Sequence, residues 1–147
     1  MVLPLIGIAD RQPYSLKITG GPDGDLGGNL LKILHREHGP RVRVVAIGDG
    51  TGSAFDPNGL DWRELLRLVR EGKGIAAFDA AKLSPASRKA GAKVVPASDR
   101  EGEQFRNQLH NTVQADVFIP CGGRPNSIHD GNWQEFLHDG APTAKAM

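Results

Sequence analysis

Apolar residues fall along this chain in two alternating rhythms. SLKIT (15–19), VRVVAI (42–47), KVVP (93–96) and ADVFIP (115–120) are short runs of nearly continuous apolar character. Between them, apolar positions recur every three or four residues. The first rhythm suits strands covered on both faces, and the second puts one stripe of a helix against a core. NLLKILHREHG (29–39) gathers Leu30, Leu31, Ile33 and Leu34 on one helical face and stops at Gly39. LDWRELLRLVREGKG (60–74) predicts a second helix, with Asp61 and Glu64 spaced as a capping box and Gly72 at its far end. GEQFRNQLHN (102–111) and DGNWQEFLHDG (130–140) predict two more. DPNG (56–59) is a turn, and IAAF (75–78) is expected to be a further strand.

Strands that alternate with helices predict an α/β, Rossmann-like fold: a mostly parallel twisted sheet with helices on both faces. Residues 1–147 are expected to form one domain, with 1–14 as a candidate linker. Within this frame ITGGPDGDLGGN (18–29) stands out, because it concentrates five glycines directly after the first strand. Glycine loses more chain entropy than any other residue on folding, so such density needs a reason. In a parallel sheet, the turn after the first strand approaches a pyrophosphate that rests on the amides opening the next helix. Gly21, Gly24 and Gly27 supply the spacing G-x-x-G-x-x-G, one residue longer at the front than the usual G-x-G-x-x-G. Asp49 follows VRVVAI, 22 positions past Gly27. A carboxylate there can accept both hydroxyls of an adenosine ribose and would repel a 2′-phosphate, which favours NAD over NADP. Taken alone, each feature is also an ordinary turn. A phosphate loop of the Gly-Lys-Ser/Thr kind is excluded, because no such triplet follows the glycines.

Composition narrows the partners. The chain has 147 residues, 39% of them apolar, a net charge of +1 and scattered basic residues. That leaves no electrostatic footprint for nucleic acid. No apolar run approaches the roughly 18 residues that span a bilayer, and MVLPLIGIAD lacks the basic start of a signal peptide. The expectation is a cytoplasmic protein with neither nucleic-acid nor membrane partners. One cysteine, Cys121, permits no internal disulfide and no paired metal spacing.

Four segments, TGGPDGDLGGN, VVAIGDGTGSAFDPNGLD, GEQFRNQLHN and ADVFIPCGGRPNSI, resemble in order the coenzyme domain of glutamate dehydrogenases. The resemblance is to the large-subunit, NAD-specific class. It runs from about Lys17 to Phe136. It implies that Gly21, Pro22, Asp23, Gly24, Asp25, Leu26 and Gly27 hold a pyrophosphate, and that Asp49 and Gly50 meet the adenosine ribose. It further implies that Cys121 and Gly122 line the path to the nicotinamide, with Asn126 near its ribose. The implied parent oxidises L-glutamate to 2-oxoglutarate and ammonia, with NAD as cofactor, and is a homo-oligomer. In that class the substrate carboxylates and proton-transfer groups lie in a separate preceding domain, whereas sixteen residues precede Lys17 here. The chain is therefore expected to be a fragment that binds NAD without catalytic residues of its own, meeting glutamate and 2-oxoglutarate only through the missing domain. The alternative is a non-catalytic dinucleotide-sensing or regulatory module.

Other residues carry plainer expectations. Cys121, with no histidine beside it in sequence, suits a small buried thiol better than a nucleophile. Arg124 could reach a phosphate or a carboxylate, but suits a surface salt bridge better. His35 and His38 sit near the negative pole of a helix end, where the dipole favours them over a metal pair. His110, His129 and His138 fall in polar surroundings and are expected at the surface. Trp62 and Trp133 are expected to pack at helix starts. No metal site is expected.

Overall fold

The computed structural model describes residues 7–9, 11–121, 137–138 and 141–146. Its framework is a six-stranded sheet in the order β4-β3-β2-β1-β5-β8. The strands are β1 (Tyr14–Thr19), β2 (Val42–Asp49), β3 (Gly52–Phe55), β4 (Lys93–Pro96), β5 (Ala115–Pro120) and β8 (Ala144–Ala146). β1 pairs in parallel with both β2 and β5, and β5 in parallel with β8. β3 runs antiparallel to β2 and β4. The expected mostly parallel α/β sheet is thus present, widened by one antiparallel strand.

Among the described residues, three longer helices cover the sheet, α1 (Asp25–His38), α2 (Trp62–Glu71) and α4 (Arg100–Thr112), with the short α3 (Pro85–Lys89) beside them. One apolar cluster joins Leu31 and Leu34 of α1 and Leu65 and Leu68 of α2 to Leu16, Ile18, Val44 and Ile47 of the sheet. A separate cluster sets Leu109 of α4 and Val113 against Val45 and Ala46. The two clusters lie on the two sides of the sheet: Val44 and Ile47 of β2 belong to one, while Val45 and Ala46, adjacent where the β1–β2 register shifts, both belong to the other. α2 starts as its sequence specifies: the Asp61 carboxylate accepts from Glu64 N at 2.8 Å. It ends at Gly72, whose φ of 61° and two N–H contacts close the last turn. Only half of the expected capping box forms. Glu64 turns instead to Arg67 and to the Asp79 amide, and the Arg67 guanidinium holds its carboxyl below the ordinary glutamate range.

Several expectations need correction. α1 starts at Asp25, four residues before Asn29, so the second half of the glycine stretch is helical; Gly28 N donates to Gly24 O at 2.8 Å. IAAF is no strand: Ile75–Ala77 is a 3-10 turn, closed by Ala77 N to Gly74 O and Phe78 N to Ile75 O. Ile75 and Phe78 are both buried, and their i, i+3 spacing is that of a 3-10 face rather than a strand. β3 was unread in the sequence because Gly52–Phe55 is four residues hemmed between two turns. The helix expected over 130–140 is contradicted at its end, where Leu137–His138 forms β6 and pairs antiparallel with β7 (Ala141–Pro142). Trp133 and the rest of that stretch lie outside the described residues. His110 is buried, contrary to the surface expectation, because α4 turns it inward to stack on Phe118 with ring centroids 5.8 Å apart. No helix among the described residues is long and apolar enough to cross a membrane.

Candidate functional site

The carboxyl ends of β1, β2 and β5 form one rim of the sheet, and the glycine loop, Asp49 and Cys121 gather there. β1 lies between β2 and β5: the chain builds outward from β1 through β2 to β4, then returns to add β5 on its other side. Open α/β sheets place ligands in the crevice outside such a reversal of strand order. Gly20 N donates to Gly48 O at 2.8 Å, which ties the loop to the end of β2. Cys121 N donates to Thr19 O at 2.6 Å, which brings the end of β5 to the same place.

The glycines differ in what they make room for. A Cβ on Gly21 would collide with the Asp49 and Asp23 carboxylates. One on Gly27 would strike the Gly21 and Gly20 carbonyls, and one on Gly28 the Pro22 carbonyl. These three positions are bare because the loop folds back on itself and on β2. Gly24 is different: a Cβ there would meet only Gly21 O, at 3.4 Å. Gly24 is the N-cap of α1 and, having no side chain, gives no side-chain cap. Protein packing does not require glycine at this position, whereas close approach of a ligand to the opening amides of α1 would. Around it, Pro22 is buried, Asp23 and Asp25 are exposed, and Leu26 is 63% exposed.

Asp49 is buried, and its carboxylate is held from three sides. Oδ1 accepts from Thr51 N at 2.7 Å, Thr51 Oγ1 at 2.6 Å and Gly52 N at 3.3 Å. Oδ2 accepts from Ile75 N at 2.7 Å and lies against Gly21. Each carboxylate oxygen offers about two lone-pair directions. Oδ1 is therefore saturated, while Oδ2 takes the single Ile75 amide. Thr51 Oγ1 also accepts from Ala76 N at 3.1 Å. The 3-10 turn that replaces the expected strand thus serves to fix Asp49.

The sequence reading missed three contributors. Thr51 has no motif spacing to mark it, and the Ile75 amide carries no side-chain signature. Arg106 lies on α4, far along the chain, yet its Nη1 reaches Gly50 O at 3.5 Å and sets a cation beside the end of β2. Cys121 is half-buried, and burial pushes its thiol up, as suits an unreactive sulfhydryl. His35 rests on Trp62, and His38 Nδ1 meets Tyr14 OH at 2.8 Å, so the two histidines have separate partners. Trp62 packs at the start of α2, as expected, with Nε1 donating to Val42 O. Among the described residues no group of three or more His, Cys, Asp or Glu could hold a metal ion. Gly122, Arg124, Asn126 and His129 lie outside the described residues.

Residues 12–144 match the family model described as Glutamate/Leucine/Phenylalanine/Valine dehydrogenase. The chain belongs to this family. It is 42% identical over 149 aligned residues to a probable NAD-specific glutamate dehydrogenase of Schizosaccharomyces pombe, covering 97% of this chain and 13% of that protein. It is 41% identical to the NAD-specific glutamate dehydrogenase of Saccharomyces cerevisiae, covering 82% of this chain and 12% of that protein. A Neurospora crassa relative of the same name is 39% identical over 85% of this chain and 12% of its own length. The chain therefore spans about an eighth of the length of these family members. The family match covers β1 through the start of β8, and so includes the glycine loop, Asp49 and Cys121.

Proposed function

We propose that this chain is the NAD-binding unit of an NAD-dependent glutamate dehydrogenase. The observation that carries the reading is the buried Asp49 carboxylate at the end of β2, held by Thr51 and the Ile75 amide and lying against Gly21 of the glycine loop. Oδ2 would take a ribose hydroxyl, and the buried negative charge would reject a 2′-phosphate. The opening amides of α1, from Asp25 onward, would take the pyrophosphate, since a helix N-terminus favours negative charge. Pro22 stiffens the loop. Asp23 and Asp25 set two carboxylates beside it, so binding rests on aimed amides and not on net charge. Gly50 and Arg106 would flank the adenosine end. The family resemblance assigns Cys121, Gly122 and Asn126 to the nicotinamide end.

In the whole enzyme, the hydrogen on Cα of L-glutamate would leave as hydride to the dinucleotide, and hydrolysis of the resulting imine would release 2-oxoglutarate and ammonia. This chain would bind and orient the dinucleotide. It would not itself move a proton of the substrate. The names of the relatives support the substrate, and the rim geometry supports the coenzyme.

Calorimetry of the 147-residue chain with NAD and with NADP tests the reading. Weak but saturable binding of NAD, tighter than that of NADP, is expected, because one wall of a cleft is being measured alone. Absence of heat with millimolar NAD, or tighter binding of NADP, would overturn it.

A further inference from the structure

The opposite rim of the sheet, where β1, β2 and β5 begin, carries a separate groove of about 470 Å³. That volume is in the range of small-molecule sites, roughly 300–1,000 Å³. Its base is the α4 side of the sheet. Ser15 pairs with Arg43 across β1 and β2, and Phe55 pairs with Lys93 across β3 and β4. Paired residues share a face, and all four line the groove together with Val45. Phe105 and Leu109 of α4 form the facing wall.

The charges lining this groove have one sign. Arg43 and Lys93 line it, and no aspartate or glutamate does. Among the described residues neither cation has an acidic partner; Lys93 lies over the Phe105 ring, with Nζ 4.1 Å from its centroid. The carboxyl end of α4 would normally add negative potential at this edge. Lys17 offsets part of it, because its buried ammonium takes the His110 and Val113 carbonyls at 2.7 and 2.8 Å. What remains is an apolar slot between two phenylalanines with two exposed cations at its lining, and the Asp116 carboxylate held behind it by Ser15.

The geometry points to a second ligand site, for a small organic anion with a flat apolar body, of the aryl carboxylate class. The carboxylate meets Arg43 and Lys93, and the ring system lies against Phe55, Phe105, Val45 and Leu109. The site is independent of the dinucleotide reading, since it shares no residue with the glycine-loop rim.

The test is a nuclear magnetic resonance titration of the isotope-labelled 147-residue chain with 2-naphthoate and with its uncharged analogue 2-naphthalenemethanol. Saturable shifts centred on Val45, Phe55, Phe105 and Leu109 are expected, with the alcohol at least about tenfold weaker, the loss of one charge-assisted contact. Arg43→Gln with Lys93→Gln changes two exposed side chains, so the fold is retained, and should weaken naphthoate by at least about tenfold. Lack of saturation, equal binding of the alcohol, indifference to the double substitution, or shifts centred on Gly21–Gly27 would each overturn the assignment.

Discussion

Thr51 is the residue on which the aim of Asp49 depends. Its hydroxyl donates to Asp49 Oδ1 and accepts from the Ala76 amide, joining the β2 end to the 3-10 turn. Thr51→Val keeps the shape and removes both bonds, while Thr51→Ser keeps both. The valine variant should lose about 0.5–1.5 kcal/mol in urea unfolding, the net worth of a hydrogen bond at a partly exposed site. On the coenzyme reading it should also weaken NAD and narrow the margin over NADP, with serine restoring both. A valine variant that loses stability but binds NAD as before would show that Asp49 is aimed without Thr51. Asp49 itself was legible in the sequence, because a carboxylate at the end of an apolar strand after a glycine loop is a spacing. Its partners were not, since a backbone amide such as that of Ile75 looks the same at every position.

At the scale of elements, local chemistry was written most clearly where a helix begins or ends. Asp61 and Gly72 bracket α2 as their residue types require. Asp61→Ala should therefore cost about 1 kcal/mol and lower the melting temperature by roughly 2–4 °C, whereas Asp61→Asn should leave it nearly unchanged. An unchanged midpoint for the alanine variant would mean that tertiary packing alone starts this helix. Glu64 was misread for a physical reason. The spacing that forms a capping box also lets a glutamate reach Arg67 one turn on, and the partly buried ion pair with Arg67, together with the Asp79 amide, won. IAAF was misread likewise, because four apolar residues suit a strand or a tight turn equally. The choice fell to Asp49, whose carboxylate needed the Ile75 amide.

For the molecule as a whole, the sheet is joined across its width by buried polar contacts as well as by its apolar clusters. Lys17 on β1 donates to the carboxyl end of α4 and to both oxygens of Thr143, just before β8, so one ammonium connects three elements. Burial pushes its pKa down to about 8. Beside it, burial and then the Lys17 charge push His110 down to about 4, from an ordinary 6.5. The sign follows. An unfolded chain protonates this histidine near pH 6.5 and the folded one only near 4, so in that window the unfolded state binds more protons. Stability contributed by His110 is complete above pH 6.5 and falls as the pH drops toward 4. Urea midpoints measured from pH 7 to 4.5 should decline, and His110→Gln should flatten that slope whatever its effect at pH 7. An equal slope in the variant would assign the acid sensitivity to other groups.

What the sequence determined by itself is whatever depends on neighbours along the chain: strand and helix periods, the caps of α2, the sharp glycine turn, and a carboxylate at a fixed interval from it. Those features were enough for an α/β sheet and for family membership. Only the tertiary structure decided that β3 enters antiparallel, that Ile75 holds Asp49, that Arg106 reaches the end of β2, and that Lys17 and His110 are buried together. Each of these joins positions from 26 to 93 residues apart or pairs one strand with another. Such contacts are selected by the free energy of the packed whole, and no local pattern of residues encodes them.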